Sequence, residues 1–442
     1  MKIKTQHGQG SHLTIDAFDC KADLNSKELV LKFLNELPDI IGMNKLTQPQ
    51  VVEYKTGNEE QGVTGFVIIA ESHLAIHTYP EKNFLSADIF SCKEFDTELA
   101  LNYVKKIFDA DKIETNTLHR GHSDEFDADK EFESVKGIDI NTTNVVDMIQ
   151  SMKNIGFQAT HLGQAVDILK KIRQDKARVF LSFTSNMVSS GLREIFAQLV
   201  KEKLVDVIIT SVGSIEEDMM KSKKPFLLGS FNTSDVDLHR KGINRIGNVF
   251  VPSDRYETFE DMIIPIFEKF DELQRKTGKL VSPSELIHEI GLTIQDENSI
   301  LHWASKNKIP IFCPGITDGA LGLQVYFFKH AHKEFGIDVT GDMKRLADLT
   351  LEPEKTAGII LGGGIAKHHL IGVNILRQGL DYAIYVSTGV EGDGSLSGAR
   401  PKEAKSWSKI KEDANNVCVE GDATIIFPLL AISMKHIWSN NE

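Results

Sequence analysis

Two stretches of this sequence bring nucleophiles and proton carriers close together. The first is AESHLAIHTYPE (70–81) followed by ADIFSC (87–92), which holds Ser72, His77 and Cys92. A hydroxyl and a thiol can attack carbonyl carbon, and an imidazole moves protons near neutral pH. By residue type alone, Glu71-Ser72-His73 also reads as a polar hairpin turn, and His77 and Cys92 as strand filler. The second stretch is KSWSKI (405–410), with Lys409 near Trp407. A lysine beside a tryptophan can sit in a drier pocket, where desolvation lowers its pKa and leaves the neutral amine that attack on an imine requires. The ring of Trp407 can also hold a substrate ammonium against its face. Taken singly, Lys409 is one of 50 basic residues and reads as part of a solvated face. In ILGGG (360–364), glycines let the backbone approach a phosphate and leave helix-start amides to bind it, although a triple glycine also makes a tight structural turn. His119, His122, His330 and His332 lack carboxylate or cysteine partners at ligand spacing and read as structural, so no metal is expected.

The elements that must position these groups fall into two halves. Residues 27–37 form an amphipathic helix with Leu29, Leu31, Phe33, Leu34 and Leu37 available for a buried stripe. Strand-like runs at 65–70 and 74–79 flank the break Glu71-Ser72-His73, and 84–90 is a third, which predicts a small α+β two-layer sandwich. Residues 123–135, SDEFDADKEFESV, hold six acids and one lysine and read as a solvated linker. Beyond it, near-continuous apolar runs at 205–210, 357–363 and 382–388 predict strands covered on both faces. Ser282-Pro283-Ser284-Glu285 is a helix start, with Gly291 as its stop. This alternation predicts a larger, Rossmann-like parallel α/β domain. The expected organisation is a domain at 1–122, a linker at 123–134 and a second domain at 135–442.

The bulk numbers exclude several classes. The chain has 442 residues and a net charge of −13, which argues against a binder of nucleic acid or anionic membrane. Cys20, Cys92, Cys313 and Cys418 are far apart, so neither a disulfide framework nor a structural zinc site is expected. No apolar run reaches membrane-spanning length, and the first residues lack a signal-peptide core, which places the protein in a reducing cytoplasm.

The first half resembles the prokaryotic S-adenosylmethionine decarboxylase family over about residues 8–125. The signature ESHxxIHTxPE followed by a D-x-F-x-C strand is complete here. The resemblance implies self-processing between Glu71 and Ser72. The Ser72 hydroxyl attacks the Glu71 carbonyl, and β-elimination leaves a pyruvoyl group at residue 72. His77, two strand steps past the turn, is implied as the proton-transfer residue, with Thr64 as a helper hydroxyl. Cys92 is implied as the residue that reprotonates the product carbon. The pyruvoyl carbonyl would draw off electrons as CO2 leaves. The amino acid is S-adenosylmethionine, ornithine or arginine, since relatives with this signature differ in substrate.

Residues of about 135–435 resemble deoxyhypusine synthase. The resemblance rests on TSNMVSSGLRE (184–194), GSIEED (213–218), GINRIGN (242–248), PGITDGALG (314–322), ILGGGIAKHH (360–369) and GDGSLSGARPKEAKSWSKI (392–410). It implies an NAD site at Ser185, Asn186, Ser189, Ser211, Gly213, Glu217, Asp318, Gly363, Thr388, Asp422 and Ala423. It implies Lys409 as the nucleophile that carries an aminobutyl group as its imine, and His368 as a polar contact near the reacting nitrogen. Glu216, Glu217 and Glu403 would bind substrate ammoniums, beside Trp407. Two positions depart from the family pattern. Leu323 follows the LG of TDGxLG, and Leu396 stands in GSxSGAR, where the family has aspartates. An ammonium facing leucine loses a charged hydrogen bond worth about 1.5–3 kcal/mol, so the site is expected to be retuned toward a different amine.

The sequence thus points to a bifunctional enzyme of polyamine biosynthesis: a pyruvoyl decarboxylase joined to an NAD-dependent aminobutyl transferase of homospermidine synthase type, acting on small amines and amino acids. The alternatives are a true deoxyhypusine synthase, whose partner is a lysine of a translation initiation factor, and a chain in which one half is a silent scaffold. Resemblance implies a homo-oligomer, a tetramer for the second half.

Overall fold

The computed structural model describes residues 10–55, 61–120 and 132–439. The chain divides into two units, Met1–Phe132 and Glu133–Glu442. Most of the acidic run expected as a linker lies outside the described residues, as does His122.

In the first unit, six strands form one antiparallel sheet: β1 (Gly10–Phe18), β2 (Gln50–Lys55), β3 (Gln61–Ile69), β4 (Ser72–Tyr79), β5 (Phe84–Ser91) and β6 (Lys112–Arg120), in the order β2-β3-β4-β5-β1-β6. Helices α1 (Lys27–Ile40) and α2 (Thr97–Phe108) complete a two-layer α+β sandwich. Ser26 and Asp96 cap them, accepting first-turn amides that would otherwise be orphaned. Strand side chains alternate in direction. Leu13, Ile15, Val67, Ile69, Leu74, Ile76, Leu85 and Ile89 therefore enter the helix-covered core. His12, His73, His77, Asp88 and Phe90 alternate with them. The stripe of α1 is Val30, Phe33, Leu34 and Leu37; Leu31, expected in it, is exposed, because the helical repeat of 3.6 carries it to the outer side. The break expected over residues 71–73 is shorter. Ile69 pairs with Ser72, so only Ala70 and Glu71 form the turn and β4 begins at Ser72 itself.

The second unit is built on a six-stranded parallel sheet of β7 (Arg178–Phe183), β8 (Val207–Thr210), β12 (Ile311–Phe312), β13 (Thr356–Leu361), β14 (Leu380–Ser387) and β15 (Ile410–Glu420). Three short strands, β9 (Leu227–Leu228), β10 (Ile243–Ile246) and β11 (Val249–Pro252), make a separate antiparallel ribbon. Across the main sheet the order is β12-β8-β7-β13-β14-β15. This is the doubly wound order, and its reversal lies between β7 and β13, where such sheets open a crevice at the carboxyl ends of their strands. Strand interiors such as Phe180, Leu181, Ile208, Ile360 and Ile384 are fully buried, as two covered faces require. The capping box at Ser282 and Glu285 forms. Gly291 does not stop that helix, which runs to Thr293. A Cβ at residue 291 would meet Leu301 O at 2.2 Å, so the glycine serves a close helix–helix approach instead. Among the described residues no helix is long and apolar enough to cross a membrane, and no group of three or more His, Cys, Asp or Glu side chains could hold a metal.

Candidate active sites

In the first unit the β3–β4 turn presents the Glu71–Ser72 peptide bond at one end of the sheet. Ser72 is held at φ 152°, a backbone region that costs an L-residue roughly 1–3 kcal/mol and persists only where its surroundings enforce it. Four hydrogen bonds hold the turn around it. The Glu71 carbonyl oxygen accepts the Cys92 N–H at 3.0 Å. The Glu71 carboxylate accepts the Asn44 backbone and side-chain N–H groups, both at 3.1 Å. Ala70 N–H donates to the Asn44 carbonyl at 2.8 Å.

The Ser72 hydroxyl lies 3.1 Å from Nδ1 of His73. Nε2 of His73 lies 3.6 Å from Asp88, which also holds Nε2 of His12 at 3.4 Å. These groups meet because β1 and β4 flank β5. His77 is paired instead with Thr64, whose hydroxyl is 2.9 Å from Nδ1. It stands four residues beyond His73, about 13 Å along the strand at about 3.3 Å per residue. The chain therefore brings together Ser72, Cys92, His73 and Asp88, and separately Thr64 and His77. His73 and Asp88 do not stand out as site groups in the sequence, although both lie inside the motifs quoted above.

In the second unit the crevice at the sheet's switch point is a cleft of about 320 Å³. Asn186, Gly363, Thr388, Asp422 and Ala423 all line it, with Thr184, Gly362, Gly389 and Ser397. These residues come from loops after β7, β13, β14 and β15. Gly362 and Gly364 have φ of 79° and 64°, and a Cβ on Gly363 would meet Ser397 at 2.2 to 2.6 Å. The ten-residue helix Gly364–Val373 starts here, with its first amides at the cleft. A glycine turn, a helix start and hydroxyl donors around a crevice at the switch point fit a dinucleotide.

Beside it, at the ends of β7 and β8, Ser211 Oγ accepts the Ser185 N–H at 3.1 Å, and Gly213 packs where a Cβ would meet Ser185 at 2.7 Å. Ser189 donates to Glu217 at 2.6 Å, and Glu216 accepts the Leu321 N–H at 2.6 Å. Both carboxyls are buried. Burial pushes Glu217 up to about 8 and raises Glu216, whose charge is further opposed by exposed Asp318. Buried acids with so little cationic compensation suit an incoming ammonium.

Lys409 sits 5.2 Å from the Trp407 ring centroid, beside a cavity of about 30 Å³ lined also by Glu403, Leu396, Lys367 and Tyr385. The dry pocket expected from Trp407 is not formed within the chain: that ring is 64% exposed, since it follows the short helix Pro401–Lys405 at the surface. His368 is exposed one residue beyond buried Lys367, and Leu323 is exposed on the helix Ala320–Phe328, so Leu396 is the departing residue that faces Lys409. Lys367 and Tyr385 were missed, although the lysine stands within a quoted block.

Comparisons with known proteins agree with this division. The family model described as deoxyhypusine synthase matches residues 147–434, and that described as S-adenosylmethionine decarboxylase matches residues 11–121. A Thermococcus gammatolerans protein named "Probable deoxyhypusine synthase" is 48% identical over 320 residues, covering 68% of this chain and 95% of its own. A Methanocaldococcus jannaschii protein of the same name is 48% identical over 322 residues, covering 68% of this chain and 98% of its own. The Candida glabrata "Deoxyhypusine synthase" is 42% identical over 346 residues, covering 68% and 90%.

Proposed function

The chain belongs to the deoxyhypusine synthase family, with a segment of the S-adenosylmethionine decarboxylase family fused ahead of it, and we propose that both units are catalytic and act in polyamine biosynthesis. The first unit cuts itself before Ser72 and decarboxylates S-adenosylmethionine, ornithine or arginine. The second moves an aminobutyl group between amines at the expense of no net oxidation, with putrescine as acceptor.

In the first unit, Ser72 Oγ attacks the Glu71 carbonyl carbon and the amide becomes an ester. The Cys92 N–H is already placed on the oxygen where negative charge develops. His73 is within reach of the hydroxyl proton. Loss of the Ser72 α-proton then expels the ester oxygen as the new main-chain carboxylate of Glu71, and water releases ammonia from the resulting enamine to leave a pyruvoyl terminus. The strain at Ser72 is relieved when the bond breaks. His73 takes the proton-transfer role that the resemblance implies for His77, which stands with Thr64 farther along the strand, and Cys92 keeps that of proton donor to product.

In the second unit, NAD supplies a reversible hydride acceptor when bound. This chain's own side chains do the rest. Glu216 and Glu217 hold donor ammoniums, Trp407 and Glu403 flank the reacting end, and Lys409 takes the aminobutyl carbon onto its own nitrogen as the rest of the donor departs as a free amine; the acceptor amine then collects the group and releases Lys409. His368 orients that amine. The observation that carries this reading is the convergence of Asn186, Gly363, Thr388, Asp422 and Ala423 on one cleft. A second copy of the chain would cover the apolar side of the helix Ala320–Phe328, where Leu323, Tyr326 and Phe327 are exposed, and an oligomer would dry the Trp407 region.

A protein acceptor, the lysine of a translation initiation factor, is the second reading. It is favoured by the names of relatives more than 40% identical. It is opposed by Leu396 beside Lys409. One product assay decides between them. The protein is given spermidine and NAD with either putrescine or the factor, and separately ornithine, arginine and S-adenosylmethionine, and every amine formed is identified. Homospermidine without factor labelling supports the small-amine reading; labelled factor alone overturns it.

A further inference from the structure

Lys367 is 2% exposed, on the helix that starts at the glycine turn, and among the described residues it has no carboxylate partner. Its Nζ donates to the carbonyls of Leu396 and Ala399, each at 2.7 Å, and lies 4.4 Å from the Tyr385 ring centroid. An ammonium has three N–H donors and a neutral amine has two. Both forms can therefore keep both carbonyl bonds, and the nitrogen can change its protonation without releasing the loop. What differs is the remaining position, which is a proton in one form and a lone pair in the other.

That position has somewhere to lead. Lys367 lines the same cavity of about 30 Å³ as Lys409, a volume that admits one water. Tyr385 lines it too, and its buried hydroxyl has no hydrogen-bond partner among the described residues. We propose that Lys367 takes up the proton that Lys409 must shed before its nitrogen attacks carbon, through the one water that the cavity admits and with Tyr385 orienting that water. One proton moves from the Lys409 ammonium to the Lys367 amine and returns when Lys409 is set free, so the cycle needs no other reagent. The proposal rests on Lys409 being the nucleophile and adds the group that makes it neutral.

The surroundings of Lys367 suit an acceptor working near neutrality. Burial brings its pKa down to about 8, with Arg400 adding to the fall and Cys418 and Glu403 opposing it. Facing it are Cys418 on β15, Tyr385 on β14, Arg400 and Glu403 around the following loop and helix, and Lys409 itself.

The test follows formation of the Lys409 adduct. The full-length protein with NAD and isotope-labelled spermidine is quenched with borohydride at times from pH 6 to 10, and the label on the Lys409 peptide is measured. The expected wild-type rate rises with pH and levels off near the Lys367 pKa. Lys367→Arg keeps donors for the loop but cannot give up a proton at any of these pH values. It should label about 10²-fold more slowly at pH 7, and its rate should climb through the whole range without levelling. Tyr385→Phe should slow labelling several-fold with the plateau moved upward, and it carries the test if the arginine variant fails to fold. Wild-type rates and profile in a folded Lys367→Arg protein, or an unmoved profile in Tyr385→Phe, would overturn the proposal. Absence of any label on Lys409 in the wild type would instead sink the parent reading.

Discussion

Burial gives individual side chains in this protein their chemical character. The Glu217 carboxyl, with an ordinary value of 4.5, is raised to about 8 by burial, which outweighs the Ser189 hydrogen bond and the charge of Lys221. A folded-state pKa above the unfolded one means that the fold holds a proton the open chain has lost. The stability this brings is complete below about pH 4.5 and disappears as pH rises through about 8. The melting temperature of the ligand-free protein should therefore fall across that window, and Glu217→Gln should flatten the slope. A melting curve of the variant that stays parallel to the wild type would refute the assignment. At Ser72, removal of the hydroxyl should abolish chain scission: Ser72→Ala should appear as one 49.3 kDa species under denaturing mass spectrometry, while the wild type gives two. His73→Ala should slow scission by about 10²-fold if its ring is the proton acceptor, whereas an effect from His77→Ala alone would return that role to His77.

At the level of elements, position comes from a few turns. The loop after β13 must pass under Ser397, so Gly363→Ala forces a displacement that costs about 1–3 kcal/mol and should weaken NAD binding by about tenfold or more. Calorimetric titration with NAD, beside a thermal melt, measures both. Signals confined to neighbouring residues were readable in advance. The Ser282 cap, the glycine turn and the buried strands of the parallel sheet each depend on a few consecutive side chains. What depended on strand order was not readable. His12 reaches Asp88 only because β1 inserts beside β5, and nothing in the local pattern announces that pairing. The break at 71–73 put His73 at the turn in sequence, but only the pairing of Ile69 with Ser72, which starts β4 at Ser72 itself, set its ring against the Ser72 hydroxyl. Lys367 illustrates the same limit. Lysine in an exposed register is the ordinary expectation, and only the loop folded over it creates two carbonyl acceptors.

For the molecule as a whole, the two units have separate hydrophobic cores, one around α1 and α2 and one around the parallel sheet. Their activities should therefore be separable. Ser72→Ala should abolish carbon dioxide release and leave NAD-dependent amine transfer unchanged, while Lys409→Ala should do the reverse, with loss of transfer by at least about 10³-fold. Release of labelled CO2 and chromatographic detection of the transferred amine read the two independently, and a joint loss would show coupling. The order β2-β3-β4-β5-β1-β6 carries one more consequence. A nick after Glu71 assigns β1, β2 and β3 to one polypeptide and β4, β5 and β6 to the other, yet β1 is bonded on both sides to strands of the longer piece and β3 is bonded to β4. The halves are braided like clasped fingers. Maturation would change the covalent count without changing the particle, and the shorter piece, once made, could leave only by melting the layer that it helps to weave.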